Sequence, residues 1–146
     1  MKLRMILMVT ILVASLSMSS CIVTSHETGV EISCDEFNEN PYNVRNEFQV
    51  EIGDKITVKL CSNLTTGFQW KYETTGDIVL QVEDHDFEEP ESNGDAGVAG
   101  KEVWTFEAVE KGITELRMEY SRPWEGGEKT EWTYTITVTV EEGPKN

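Results

Sequence analysis

The sequence predicts an all-β fold, an immunoglobulin-like β-sandwich of about seven to eight strands, and three observations carry that prediction. Apolar and polar residues alternate in short runs, no long stretch repeats at the helical period of 3.6, and Gly, Asn, Asp and Pro interrupt the chain at strand-length intervals. Phe48, Val50 and Ile52 alternate ahead of Gly53-Asp54, and Ile56, Val58 and Leu60 alternate up to Cys61, the pattern of two half-buried strands. Further strands are expected over residues 69–73, 79–83, 102–109, 113–121 and 130–140. The last is the clearest, because Thr133, Thr135, Thr137 and Thr139 line one face while Tyr134, Ile136, Val138 and Val140 line the other.

The chain has 146 residues, 38% of them apolar, which suffices for one core and excludes two. Its 27 acidic residues outnumber 12 basic ones, for a net charge of -15. So few cations cannot neutralise a run of phosphates, so nucleic acid is excluded as a partner, and an anionic membrane surface is a poor one.

Residues 1–20 have the layout of an export signal: Lys2 and Arg4, a mostly apolar run over residues 5–16, then Ser17-Met18-Ser19-Ser20. The apolar run falls short of the ~20 residues that a membrane-spanning helix needs, so cleavage is expected. Two cleavage readings stand. Small residues directly before Cys21 resemble a lipoprotein box, which makes Cys21 the lipidated residue, although Met18 replaces the usual Leu; Ser17 and Ser19 also fit ordinary signal peptidase. The favoured reading is an envelope lipoprotein on the outer face of the membrane, with secreted or periplasmic release as the alternative. Residues 21–43 are read as lipid-anchor Cys, tether and first edge segment, and residues 44–146 as the folded domain.

With Cys21 assigned to lipid, Cys34 and Cys61 form the bridge open to an exported domain, worth about 2 to 4 kcal/mol; two buried free thiols are the alternative. His26 is placed in the tether and His85 in an acidic turn, neither near a nucleophile, so no catalytic constellation is expected. The two Cys and two distant His lack the close spacing of a zinc site, and no cofactor is expected. The acidic run over residues 83–91 lacks the spacing of a calcium loop and is read as a solvated loop.

Three segments do not suit ordinary hairpin turns. Asn63-Leu64-Thr65-Thr66-Gly67 precedes Phe68 and Trp70 and offers hydroxyls and accessible amides, with Gly67 free to take a positive φ. Asn93-Gly94-Asp95-Ala96-Gly97-Val98-Ala99-Gly100 is small enough to lie against another backbone, although a flexible linker has the same composition. Arg122-Pro123-Trp124-Glu125-Gly126-Gly127 sets an indole on a proline-stiffened turn beside an arginine, a composition typical of interface hot spots. Plain turns, and a Trp124 folded back on the sandwich, are the bland alternatives.

In order and spacing these segments resemble the chagasin family of cysteine peptidase inhibitors, whose members carry Asn-Pro-Thr-Thr-Gly, Gly-x-Gly-Gly and Arg-Pro-Trp loops. The likeness spans residues 44–140. Leu64 stands where the family has proline and Ala99 where it has the second glycine, departures expected to loosen the first loop and narrow the second. The resemblance implies a monomeric, reversible inhibitor of papain-like cysteine peptidases, not an enzyme, whose three loops sit side by side as a wedge for the active-site groove. It implies contacts to the peptidase from Asn63, Thr65, Thr66, Gly67 and Phe68, from Gly97 and Gly100, and from Arg122, Pro123 and Trp124. An exported immunoglobulin-like adhesion or ligand-binding module is the rival reading, because the fold alone does not choose a partner.

Overall fold

The computed structural model describes residues 25–90 and 97–144. Eight strands form two four-stranded sheets: β1 (Glu27–Ile32), β2 (Val44–Glu51), β3 (Lys55–Ser62), β4 (Gln69–Gly76), β5 (Leu80–Glu88), β6 (Gly100–Ala108), β7 (Gly112–Ser121) and β8 (Trp132–Glu141). One sheet has the order β1-β3-β6-β5 and the other β2-β8-β7-β4. The outermost pairs β1 with β3 and β2 with β8 are parallel, and the remaining neighbours are antiparallel. Between the sheets lie the inward positions of each strand, among them Ile56, Val58, Leu60 and Phe106 from one and Leu116, Met118, Tyr134 and Ile136 from the other. In β8 the threonine face is outward except at Thr133, which is buried, as the period of two requires for most of the strand.

Three expectations need correction. The first edge segment expected within residues 21–43 is β1, at the edge of its sheet, but residues 27–43 belong to the sandwich, so the folded domain begins ahead of residue 44. β1 extends one sheet, a short helix α1 (Cys34–Glu39) capped by Ser33 follows it, and Phe37 on that helix is fully buried. Six residues hold too little pattern for a helical period to show in the sequence. The acidic run is strand rather than loop through Glu88, where β5 ends after bending at a bulge between Val82 and Asp84, and Glu91 lies outside the described residues. As an edge strand it exposes most of its side chains, so no apolar alternation marks it. His85 therefore lies on a strand, its ring stacked 3.5 Å from the Trp104 ring, and not in a turn. The last strand starts at Trp132, because Thr130 sits at a φ of 56°, which ends the extended run.

The Cys34 to Cys61 disulfide is present, with Cα atoms 5.2 Å apart, and it ties α1 to the end of β3. Phe37 lies 5.1 Å from the Trp70 ring and 5.2 Å from Trp132, so the helix closes one end of the sandwich as an aromatic plug. At the other end Asp54 organises the β2–β3 turn, accepting hydrogen bonds from the amides of His26 at 2.7 Å and Glu51 at 2.8 Å. Burial pushes the Asp54 carboxyl up, but those amide donors, with His26 nearby, outweigh it and hold the group below its ordinary value.

Two outcomes follow from this packing. Phe37→Ala removes the plug and is expected to cost about 3 to 5 kcal/mol of unfolding free energy, read by denaturant titration of the oxidised chain. A carboxyl with a depressed native pKa stabilises the fold above its unfolded pKa near 4 and loses that contribution as pH falls through its native value. Stability should therefore decline on acidification below about pH 4, and Asp54→Asn should flatten part of that decline in thermal melts across the same range.

Candidate functional site

Strand register brings the three loops to one pole. Ser62 pairs with Gly100, Gln69 with Ser121, Glu88 with Lys101, and Tyr120 with Trp132, so the β3–β4, β5–β6 and β7–β8 connections all leave from the same end. The first loop crosses from one sheet to the other, and the other two are hairpins, one in each sheet.

The first loop is fixed at both flanks by one buried side chain. Glu102 Oε1 accepts from Ser62 Oγ at 2.8 Å and from the Trp70 amide at 3.3 Å, while Oε2 meets His85 Nε2 at 3.1 Å. Trp70 Nε1 donates to the Cys61 carbonyl at 2.9 Å, and the Asn63 amide donates to the Tyr120 hydroxyl oxygen at 2.8 Å. Between these supports the chain makes one turn of 3-10 helix, Leu64–Thr66. Asn63 Oδ1 caps it, accepting from the Thr65 amide at 3.2 Å and from Thr65 Oγ1 at 2.6 Å, and Thr66 Oγ1 donates to the Asn63 carbonyl at 2.7 Å. These bonds order the turn around Leu64, where no proline ring fixes φ. Gly67 ends the turn at a φ of 78°, where a side chain is strained.

The second and third loops are bonded to the first. Asn63 Nδ2 donates to the Gly97 carbonyl at 2.9 Å, and Arg122 Nε donates to the Thr66 carbonyl at 3.2 Å. The Arg122 guanidinium lies 4.5 Å above the Phe68 ring centre, within cation–π range. The Trp124 indole covers Gly67 so closely that a Cβ there would come within 2.5 Å of it. Lys129 braces the third loop from inside, its Nζ donating to the carbonyls of Arg122 and, at 2.9 Å, Trp124. Thr130, the non-glycine residue held at positive φ among the described residues, closes this loop and donates to Glu119 at 2.5 Å.

Of the residues expected at the site, Asn63, Thr65, Thr66, Gly67, Gly97, Arg122, Pro123 and Trp124 reach this pole with at least partial exposure. Two do not. Phe68, directly ahead of β4, is buried in the core and serves as the platform for Arg122. Gly100 is buried at the start of β6, where a Cβ would lie 2.4 Å from the Glu88 carbonyl oxygen, so its lack of a side chain is needed for strand packing. Ala99 sits where a methyl is tolerated, half-buried against the core. Asn93, Gly94, Asp95 and Ala96 lie outside the described residues, as does Cys21.

Several contributors carried no expectation from sequence. Glu102 shares the inward phase of Trp104 and Phe106 in β6, and an acid at an inward position is the signal that would have revealed it. Tyr120 and Lys129 gave none, since their contacts join residues 57 and 7 positions apart. Leu64, 49% exposed, and Val98, 43% exposed, join Trp124 at 51%, so each loop presents one large apolar side chain to solvent. Exposed apolar groups gathered on a rigid polar frame are the composition of a protein-binding surface.

Comparison with known proteins bears on the family and on the fold. The profile described as "Chagasin family peptidase inhibitor I42" matches residues 49–138. Amoebiasin-2 from Entamoeba histolytica is 28% identical over 91 residues, covering 62% of this chain and 74% of its own. The crystal structure of the cysteine protease inhibitor EhICP2 from Entamoeba histolytica superposes with a TM-score of 0.61 at 21% identity, covering 80% of this chain and 95% of that one. PbICP-C, solved in complex with falcipain-2, gives a TM-score of 0.52 at 15% identity over 80% of this chain and all of that one. Both superpositions speak to the fold.

Gly67→Ala combines a positive φ with a collision against Trp124. It is expected to destabilise the chain by about 1 to 2 kcal/mol and to shift Trp emission to the red as the indole leaves its seat, read by denaturation and fluorescence of the folded variant.

Proposed function

The chain belongs to the chagasin family of peptidase inhibitors, and from that premise we propose that it inhibits papain-like cysteine peptidases reversibly by lodging its three-loop pole in their active-site groove. The observation that carries this reading is the cross-bonded pole, where Asn63 holds Gly97, Arg122 holds Thr66, and each loop ends in one exposed apolar residue. A surface fixed before binding loses little conformational freedom on docking, so more of its contact energy appears as affinity. Leu64, Thr65 and Thr66 form the central projection, with Val98 on one flank and Trp124 on the other. The indole, seated against Gly67 and half exposed, offers its open surface to an aromatic or aliphatic wall of the peptidase.

Such a loop resists cleavage for the same reason that it binds. A substrate must present an extended segment to the nucleophile, whereas residues 64–66 are held in a helical turn by Asn63 and Thr66. The carbonyls of Asn63, Leu64 and Thr66 already accept hydrogen bonds within the protein, so an oxyanion hole must compete with those partners. The family is one of inhibitors, so the chain supplies no acid, base or nucleophile to a reaction.

We place the inhibitor outside the cytoplasm as a monomer, exported by residues 1–20 and held through lipidated Cys21. The support is the layout of the leader and the pairing of Cys34 with Cys61, a bond suited to an oxidising compartment.

Inhibition of papain by the oxidised chain lacking residues 1–20 tests the reading. Tight reversible inhibition is expected, with Trp124→Ala weakening it about tenfold or more and Thr65→Ala weakening it through loss of the Thr65 Oγ1 bond to Asn63 Oδ1. A folded sample without inhibition at micromolar concentration would turn the assignment toward an adhesion module.

A further inference from the structure

The pole opposite the loops carries a second exposed apolar surface for which the inhibitory reading has no use. The turns that build it are joined by hydrogen bonds: the Gly53 amide to the Ala108 carbonyl at 2.7 Å, the Val109 amide to Val79 at 2.8 Å, and the Asp77 amide to Ile113 at 3.1 Å. Ile52, Ile78 and Val109 stand on these turns and Ile113 beside them at the start of β7, with Ile78 83% exposed and Ile113 57%. Nine large hydrophobic residues are exposed among the described residues; three are the loop tips and four are here. Apolar exposure is thus concentrated at the two ends of the sandwich, and a cluster of this kind marks a contact surface.

The chain enters the sandwich at this same end. β1 begins at Glu27, paired with Lys55 at the start of β3, and His26 is bonded to the Ile52-bearing turn through Asp54 Oδ1 at 2.7 Å and through its own carbonyl to the Lys55 amide at 2.9 Å. Cys21 precedes Glu27 by six residues, a span that reaches at most about 20 Å when fully extended. The ten residues of β7 or β8 extend about 33 Å, so a membrane-bound Cys21 cannot bring the loop pole to the bilayer without turning the domain over.

We propose that the Ile52, Ile78, Val109 and Ile113 pole rests on the lipid bilayer and that the three loops face away from it, into the aqueous space where a peptidase approaches. This rests on the reading of Cys21 as lipidated and adds an orientation and a contact surface to it. The surface suits neutral lipid. Asp77 accepts from the Ile113 amide, Glu110 follows Val109, the cations at this end among the described residues are Lys111 and Lys55, the latter paired with Glu83, and the whole chain carries a net charge of -15, so anionic headgroups repel it. Insertion of aliphatic side chains is insensitive to salt, which separates it from electrostatic adsorption.

Amide hydrogen exchange of the mature full chain on phosphatidylcholine vesicles tests the orientation, with the mass of Cys21 measured on the same sample. An acylated Cys21 with exchange over residues 77–79 and 109–112 slowed about tenfold on vesicles relative to the free chain, and with residues 63–67 and 122–130 unchanged, is the expected result. The double variant Ile78→Asp, Ile113→Asp should lose that slowing while remaining anchored and still inhibiting papain, which shows that it is folded. An unmodified Cys21 refutes lipidation alone; coupling a maleimide lipid to that thiol restores the tether, and the same exchange comparison then decides the surface. Equal exchange at both poles on vesicles overturns the proposal. So does slowing that rises with protein concentration without vesicles, since it places a second copy of the chain on this face.

Discussion

The buried carboxyl of Glu102 is the constraint on which the loop pole depends. One oxygen accepts from Ser62 at the end of β3 and from Trp70 near the start of β4, two residues that belong to different sheets and flank the first loop. Without this common acceptor the loop ends would be held across the two apolar layers by the Trp70 Nε1 bond to Cys61 and the Asn63 bond to Tyr120 alone. A buried polar group left without partners is costly, so the arrangement is favoured only when β3, β4 and β6 are in correct register. Glu102 thereby converts sheet register into loop geometry.

Beneath the loops the aromatic residues act as a rigid floor. Tyr120 stacks 4.9 Å from Trp132 and 5.1 Å from Phe68, and Phe37 closes the same cluster from α1. Large rings with few rotatable bonds lose little entropy when fixed and transmit position efficiently. The Tyr120 hydroxyl then meets the Asn63 backbone, and Arg122 lies on the face of Phe68, so the first and third loops are both referenced to the floor. The disulfide serves the same end of the molecule, tying α1 to Cys61 directly before the first loop.

The loop sequences look variable in composition, but their roles divide by geometry. Gly67 is covered by an indole, Gly100 by the β5 backbone and Phe87, and Gly97 by nothing within 4 Å. A glycine in a motif can therefore be a seat, a strand contact or an open turn, and residue type alone does not separate the three. The substitution of leucine for proline at position 64 illustrates the converse. There no ring fixes the backbone, and the order of the turn rests on the hydrogen bonds among Asn63, Thr65 and Thr66.

The sequence by itself determined the all-β class and most of the strands, and it singled out Cys34 with Cys61 as the candidate bridge and three segments unlike ordinary hairpin turns, because period-two alternation, cysteine count and turn composition are local or additive properties. It missed α1 and misplaced His85, since a six-residue helix and an exposed edge strand leave no periodic trace. Tertiary structure alone decided that Phe68 and Gly100 face inward, that Glu102 holds both flanks of the first loop, and that Asn63 and Arg122 bind the loops to one another. These contacts join residues 32 to 56 positions apart. Their partners are chosen by sheet register and not by neighbours in the chain, so no reading of local pattern contains them.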